Sequence, residues 1–183
     1  MSKSLVLAAT LALLSLPFAA TGVFAQSTAP DCGDSTLAAS TKIKVAACID
    51  LNDWNASTGT GDQEFVYFSK DGKAALAIVT ELPNVPMDAY RDAIIAFATK
   101  SSGAAEGSIE PIDPEEQDIN GKPFQSMLYD VSVQGNDLEF LNYYYSEAGI
   151  GSVQFIFWSI PDDVGPVLTP LADKVMETVS VGE

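Results

Sequence analysis

The spacing of apolar residues along the chain changes character several times, and each change marks an element. Residues 5–16 form an apolar run rich in Leu and Ala, too short for a membrane-spanning helix of about 20 residues. Over 26–41 the pattern dissolves into Ser, Thr, Ala and Asp, which predicts a poorly packed arm. Ile43 to Leu51 is apolar with breaks and predicts a first strand, ending at Asn52-Asp53-Trp54. Asn55 to Asp62 holds two glycines among Ser and Thr and predicts a loop. Two apolar runs, Glu64 to Phe68 and Ala74 to Thr80, then flank Asp71-Gly72. An Asp-Gly pair between β-prone runs predicts a hairpin, because Gly accepts positive φ without steric cost. Both runs are apolar at nearly every position, as in strands covered on both faces.

From Pro86 to Lys100 the period becomes helical. Met87, Tyr90, Ile94 and Phe97 recur three or four apart, with Ala93 in the same stripe. Pro86 suits the first turn, where no N–H is needed, and Asp88 and Lys100 complement the helix dipole at its two ends. Ser101 to Gly107 is a stop.

The second half repeats this order. Ile109 to Ile119 is acidic and predicts a ragged strand before an Asn120-Gly121 turn. Phe124 to Val133 alternates as a half-buried strand; Gly135-Asn136-Asp137 turns again. Leu138 to Tyr145 and Gly151 to Ser159 are two aromatic strands joined at Glu147-Ala148-Gly149. Val164, Val167, Leu168, Leu171, Val175 and Val179 fall at helical spacing, the regular part beginning near Pro166 or Pro170. Three strands linked by hairpins after residue 120 must be antiparallel, which excludes a doubly wound parallel fold. The expected architecture is α+β: a single antiparallel sheet with helices packed on it.

The N-terminal pattern predicts a domain that works outside the cytoplasm. Lys3, the apolar run and Val23-Phe24-Ala25 are the three parts of a secretory signal, with cleavage expected before Gln26. The expected organisation is a signal peptide at 1–25, an arm at 26–41 and a single α+β domain at 42–183. The chain carries a formal charge of −16 and no histidine. Such a surface repels phosphate backbones and anionic lipid, so neither nucleic acid nor membrane insertion after cleavage is expected. Two cysteines, Cys32 and Cys48, allow one intramolecular pairing in an oxidising compartment, and a structural disulfide is expected between them.

The order of elements resembles the α/β/α sandwich shared by PsbP-type photosystem subunits, DcrB-type envelope proteins and the yeast Ran-binding import factor. Three local marks support it over residues 43–181. Leu51-Asn52-Asp53-Trp54 is similar to the family's strand end, with Asn52 where Pro is usual. Ile119-Asn120-Gly121 resembles its mid-chain turn, and Val179-Ser180-Val181 its short ending. The resemblance implies an accessory or binding protein and transfers no catalytic residue.

Chemistry is constrained by what is missing. Without imidazole there is no Ser-His-Asp or Cys-His arrangement, no His-ligated zinc and no usual general base near neutrality. With both thiols bonded, Cys nucleophiles and Cys metal sites go too. No cofactor motif is present. The expectation is a non-enzyme, exported to periplasm or medium, that binds an unknown envelope protein or small ligand. Two alternatives use carboxylates. Glu110, Asp113, Glu115, Glu116 and Asp118 crowd one segment and could offer oxygens to calcium, although without EF-hand spacing; a carboxylate-pair hydrolase needs two acids across a cleft. The aromatic strands supply a further candidate surface, Tyr143, Tyr145 and Trp158, since such rings join apolar area to a polar handle.

Overall fold

A computed structural model describes residues 29–112, 115–133 and 135–182. The predicted signal peptide lies outside the described residues. Ten strands form two antiparallel sheets rather than one. The smaller has the order β1-β2-β10, with β1 at Thr36–Ala39, β2 at Val45–Ile49 and β10 at Ser180–Val181. The larger has the order β3-β4-β5-β9-β8-β7-β6. Its strands are β3 Trp54–Ser57, β4 Gln63–Ser69, β5 Ala74–Glu81, β6 Glu115–Ile119, β7 Lys122–Val133, β8 Asn136–Glu147 and β9 Gly151–Ser159.

Two short strands lie where none was expected, and the first of them joins β2 and β10 in the second sheet. Thr36–Ala39, expected within a loose arm, pairs with β2 in register from Thr36 opposite Ile49 to Ala39 opposite Ala46. Trp54–Ser57, mostly expected as loop, pairs with β4. Each is only four residues long and mostly solvent-facing, so hydrophobic alternation had nothing to show; the partner strand creates them.

The hairpins fall where the turn residues put them. Asn120 and Gly121 both take positive φ, as a two-residue turn of this hand demands. The Asn120 side chain also donates to the carbonyls of Glu177 (3.1 Å) and Val179 (2.8 Å), tying this turn to the chain end. Gly151 opens β9 with φ +120°, and a Cβ there would meet the Glu81 carbonyl at 2.4 Å, so only glycine fits.

The large sheet buries both faces, unequally. On the first face lie the small sheet and the C-terminal helical segment, around Trp54, Leu76, Phe124, Tyr143, Phe155, Phe157 and Leu168. That segment runs as α2 Pro161–Asp163, a π-helical turn Val164–Leu168 and α3 Thr169–Met176. Helical conformation thus starts earlier than expected. Widening to i→i+5 bonds, with the Thr169 N–H reaching the Val164 carbonyl, lets the chain continue through Pro166, which has no N–H to give.

On the second face α1, Met87–Ser102, packs on β7 and β8 through Tyr90 and Ile94 with Met127, Tyr129, Val131 and Tyr144. Ala98, not Phe97, continues its buried stripe. Phe97 is 68% exposed, and Ala93 is also exposed.

Candidate functional site

Alternation decides which aromatic residues share a surface. On β8 and β9 the tight turn sets Tyr143 opposite Phe155, Tyr145 opposite Val153 and Phe140 opposite Trp158. Side chains two apart on a strand share a face. Tyr143 and Tyr145 therefore point into the first-face core, 4% and 5% exposed, while Trp158 points to the second face and stays partly exposed. The three candidates from sequence do not form one surface. Tyr143 packs edge-on against Phe157, and Tyr145 stacks on Phe124 and hydrogen-bonds Glu147, which Lys122 also holds at 2.8 Å.

Trp158 belongs instead to a row of rings that crosses the second face. Phe68 stands opposite Ala75, Ala75 opposite Trp158, Trp158 opposite Phe140 and Phe140 opposite Tyr129. Ring centroids lie 6.5, 6.0 and 5.4 Å apart from Phe68 through Trp158 and Phe140 to Tyr129. The last two contacts are stacked and the first is edge-on, geometries that aromatic quadrupoles favour. The row runs from the cover of α1 out into solvent: Tyr129 is buried, Phe140 and Trp158 are partly exposed, and Phe68 is 45% exposed.

The row leaves the cover of α1 because that helix packs mainly on β7 and β8. Arg91, Ile95 and Thr99 line an open cleft of about 650 Å³ on one flank of the helix. Phe97 lies about 200° around the helix from Ile95, on the other flank. The π-turn and α3 belong to the opposite face.

Polar groups collect between α1 and the sheet. Asn142, fully buried, stands opposite Ile156 and two residues from Phe140. Its Nδ2 donates weakly to Tyr129 Oη at 3.4 Å and Gln154 Oε1 at 3.5 Å, and its Oδ1 has no partner. Either orientation of the amide leaves the same end unmet. The Tyr90 hydroxyl, on a residue 2% exposed, has the Gln154 side chain beside it but outside close hydrogen-bonding distance. Burial holds its pKa far above that of a free tyrosine, so it stays protonated as a donor; burial pushes Tyr129 up to about 12.

The acidic segment does not assemble. Glu110 precedes β6; Glu115, Glu116 and Asp118 are all exposed on it, and Asp113 lies outside the described residues. Asp118 accepts from the Gly121 N–H and Glu116 from Gln125. Among the described residues no three His, Cys, Asp or Glu side chains gather around a common point. One acid pair does face itself: Asp130 and Glu139 are opposite on β7 and β8. Burial, then the Asp130 charge, raises the Glu139 pKa. They sit side by side on a strand pair, a like-charge contact rather than two acids flanking a cleft. The cysteines do meet: Cys32 and Cys48 are bonded, 16 residues apart, clamping the start of β1 to β2.

Comparison with known proteins identifies the fold. No family model and no curated relative matches the chain. Among solved structures, the solution structure of cyanobacterial PsbP from Synechocystis matches at a TM-score of 0.57 and 19% identity, over 81% of this chain and 93% of that one. A crystal structure from Bacteroides thetaiotaomicron matches at 0.53 and 12% identity, over 83% of this chain and 49% of that one. The chain therefore has a PsbP-like α+β fold, as the order of its elements implied.

Proposed function

We propose that this PsbP-like chain is an exported, non-catalytic accessory protein that holds a partner against the open half of its large sheet. The observation that carries the reading is the aromatic row: four cross-strand rings that pass from beneath α1 out to Phe68, which is 45% exposed. Exposed large apolar side chains grouped on one surface mark interaction sites more often than scattered ones do. The fold is compatible with the reading, since one similar solved structure is a cyanobacterial PsbP. Chemistry supports it too: the chain has no imidazole, and both thiols are bonded. Export is supported by the N-terminal signal pattern and by the disulfide, which persists in oxidising compartments.

Its test is co-purification from the native envelope with Phe68→Ser/Trp158→Ser beside the unaltered chain. Both residues are partly exposed, so the double variant should fold with a loss of about 2 kcal/mol or less. The expected result is loss of the partner from the variant alone. Equal recovery by both chains contradicts the reading.

A further inference from the structure

The aromatic row ends one strand short of the edge of the large sheet, and that edge is open. β3 is the terminal strand, with Asn55 opposite Phe68. The Lys70 N–H donates to the Asp53 carbonyl at 2.8 Å. Opposed pairs alternate along an antiparallel ladder, so Asn55 and Ser57 are the residues that exchange hydrogen bonds with β4. The Ala56 N–H and C=O and the Trp54 C=O therefore point away from β4, with no strand beyond them among the described residues. Natural edges are blunted by charge, proline or cover. The opposite edge, β6, carries Glu115, Glu116 and Asp118. β3 reads Trp54-Asn55-Ala56-Ser57, with neither charge nor proline, and its last three residues are exposed. One cation stands beside it. Lys73, Arg91, Lys122 and Lys174 are each paired with a carboxylate; Lys70 instead donates to the neutral Asn55 Oδ1 at 2.6 Å.

We propose that β3 is where a partner protein adds an extended, uncharged strand to the large sheet, antiparallel to β3 and with an aromatic side chain opposite Asn55. The unpaired ladder fixes the conformation of the occupant, since an extended chain presents N–H and C=O groups at the spacing of Trp54 and Ala56. Register fixes its ring. Phe68 and Trp158 meet at 6.5 Å across Ala75, from two strands apart. A ring opposite Asn55 stands the same two strands from Phe68, on the same face, and prolongs the row. Charge fixes the rest of the class. The Lys70 ammonium, held at Asn55, lies where it attracts the face of that ring and repels a cation. A neutral edge in a chain of charge −16 is also where an approaching uncharged strand meets least penalty. The inference rests on the open face being a binding surface, and it adds how the partner is held.

The probe is a capped peptide of about seven residues, threonine throughout except for a central phenylalanine. One derivative is N-methylated on the two threonines flanking the ring, whose N–H groups face β3. The other is N-methylated on the phenylalanine, whose N–H faces away. Binding is read from the backbone amides of the folded chain by NMR. The parent peptide should shift the Ala56 amide and slow its hydrogen exchange. The first derivative should bind at least tenfold more weakly, and the second within twofold of the parent. Ala56→Pro removes an outward N–H that β4 does not use, so it should keep the fold and weaken the parent at least tenfold. The methylated peptides make the same comparison with the protein unaltered. Cyclohexylalanine in place of phenylalanine should weaken binding about threefold, and should make no difference in Lys70→Met. No Ala56 shift at millimolar parent peptide, or equal binding by the two derivatives, overturns the proposal. Shifts at Phe68 and Trp158 without Ala56 overturn strand addition and leave the open-face reading standing. Loss of the envelope partner from Ala56→Pro but not from Phe68→Ser/Trp158→Ser keeps strand addition and defeats the open-face reading.

Discussion

Glu64 shows how one carboxylate joins the two sheets. It accepts from Ser40 Oγ at 2.8 Å, from the Thr41 N–H at 2.6 Å and hydroxyl at 2.7 Å, and from the Thr80 hydroxyl. Thr41 lies between β1 and β2, and Thr80 lies on β5. Partial burial raises the Glu64 pKa, and these four donors outweigh it, lowering the value from 4.5 to about 2. A carboxylate whose folded pKa lies below its unfolded one contributes stability that is fully present above the unfolded value. That contribution fades as pH falls from about 4.5 towards 2. Glu64→Gln should therefore cost on the order of 1 kcal/mol at pH 7, reduced by solvent screening at this half-open site. Urea unfolding of both chains at pH 7 and near pH 2 measures it, and the difference should shrink at the acid end. Hydroxyl and N–H donors around Glu64 also leave it no vacant oxygen field for a cation, which makes it a clip between sheets.

At the level of elements, the smaller sheet depends on the disulfide. β1 contributes one buried residue, Ala38, to the core, while Cys32–Cys48 anchors its start to β2. Replacing both cysteines with serine should cost about 3 kcal/mol in the chain-entropy model. Hydrogen exchange should then rise first at residues 36–39, with β5, β8 and β9 still protected. The longer elements were legible in the sequence because they carry enough residues to show a period: the Asp71-Gly72 hairpin, the α1 stripe and the three-strand meander after Asn120-Gly121. β1 and β3 were not, since four-residue strands with exposed side chains show no alternation. Phe97 misled for a related reason. Met87, Tyr90, Ile94 and Phe97 satisfy three-or-four spacing, but so does Ala98, and only the sheet beneath decides which side of the helix faces down.

For the molecule as a whole, the open half of the second face exists because seven strands are wider than one helix. Strands lie about 4.8 Å apart and helices need about 10 Å, so α1 roofs mainly β7 and β8 and cannot span all seven strands. The aromatic row on that surface could have been read from the sequence once register was known. The turn after Glu147 pairs Phe140 with Trp158, and the Asp71-Gly72 turn pairs Phe68 with Ala75. Counting ring-rich residues without that register joined Tyr143, Tyr145 and Trp158, which alternation sends to opposite faces. Nothing in the sequence marked the polar ends of Asn142 and Tyr90 as poorly met, because that depends on which side chains surround them.

Site-directed photo-cross-linking in the native envelope tests the central claim most directly. A benzophenone side chain placed at position 68 or 97 should capture the same protein species, and Trp158→Ser should abolish capture at both. The same label at exposed Glu177, beyond the end of α3, should capture nothing in common with them. Capture from position 177 alone, with positions 68 and 97 silent, would place the working surface on the other side of the molecule and contradict the account.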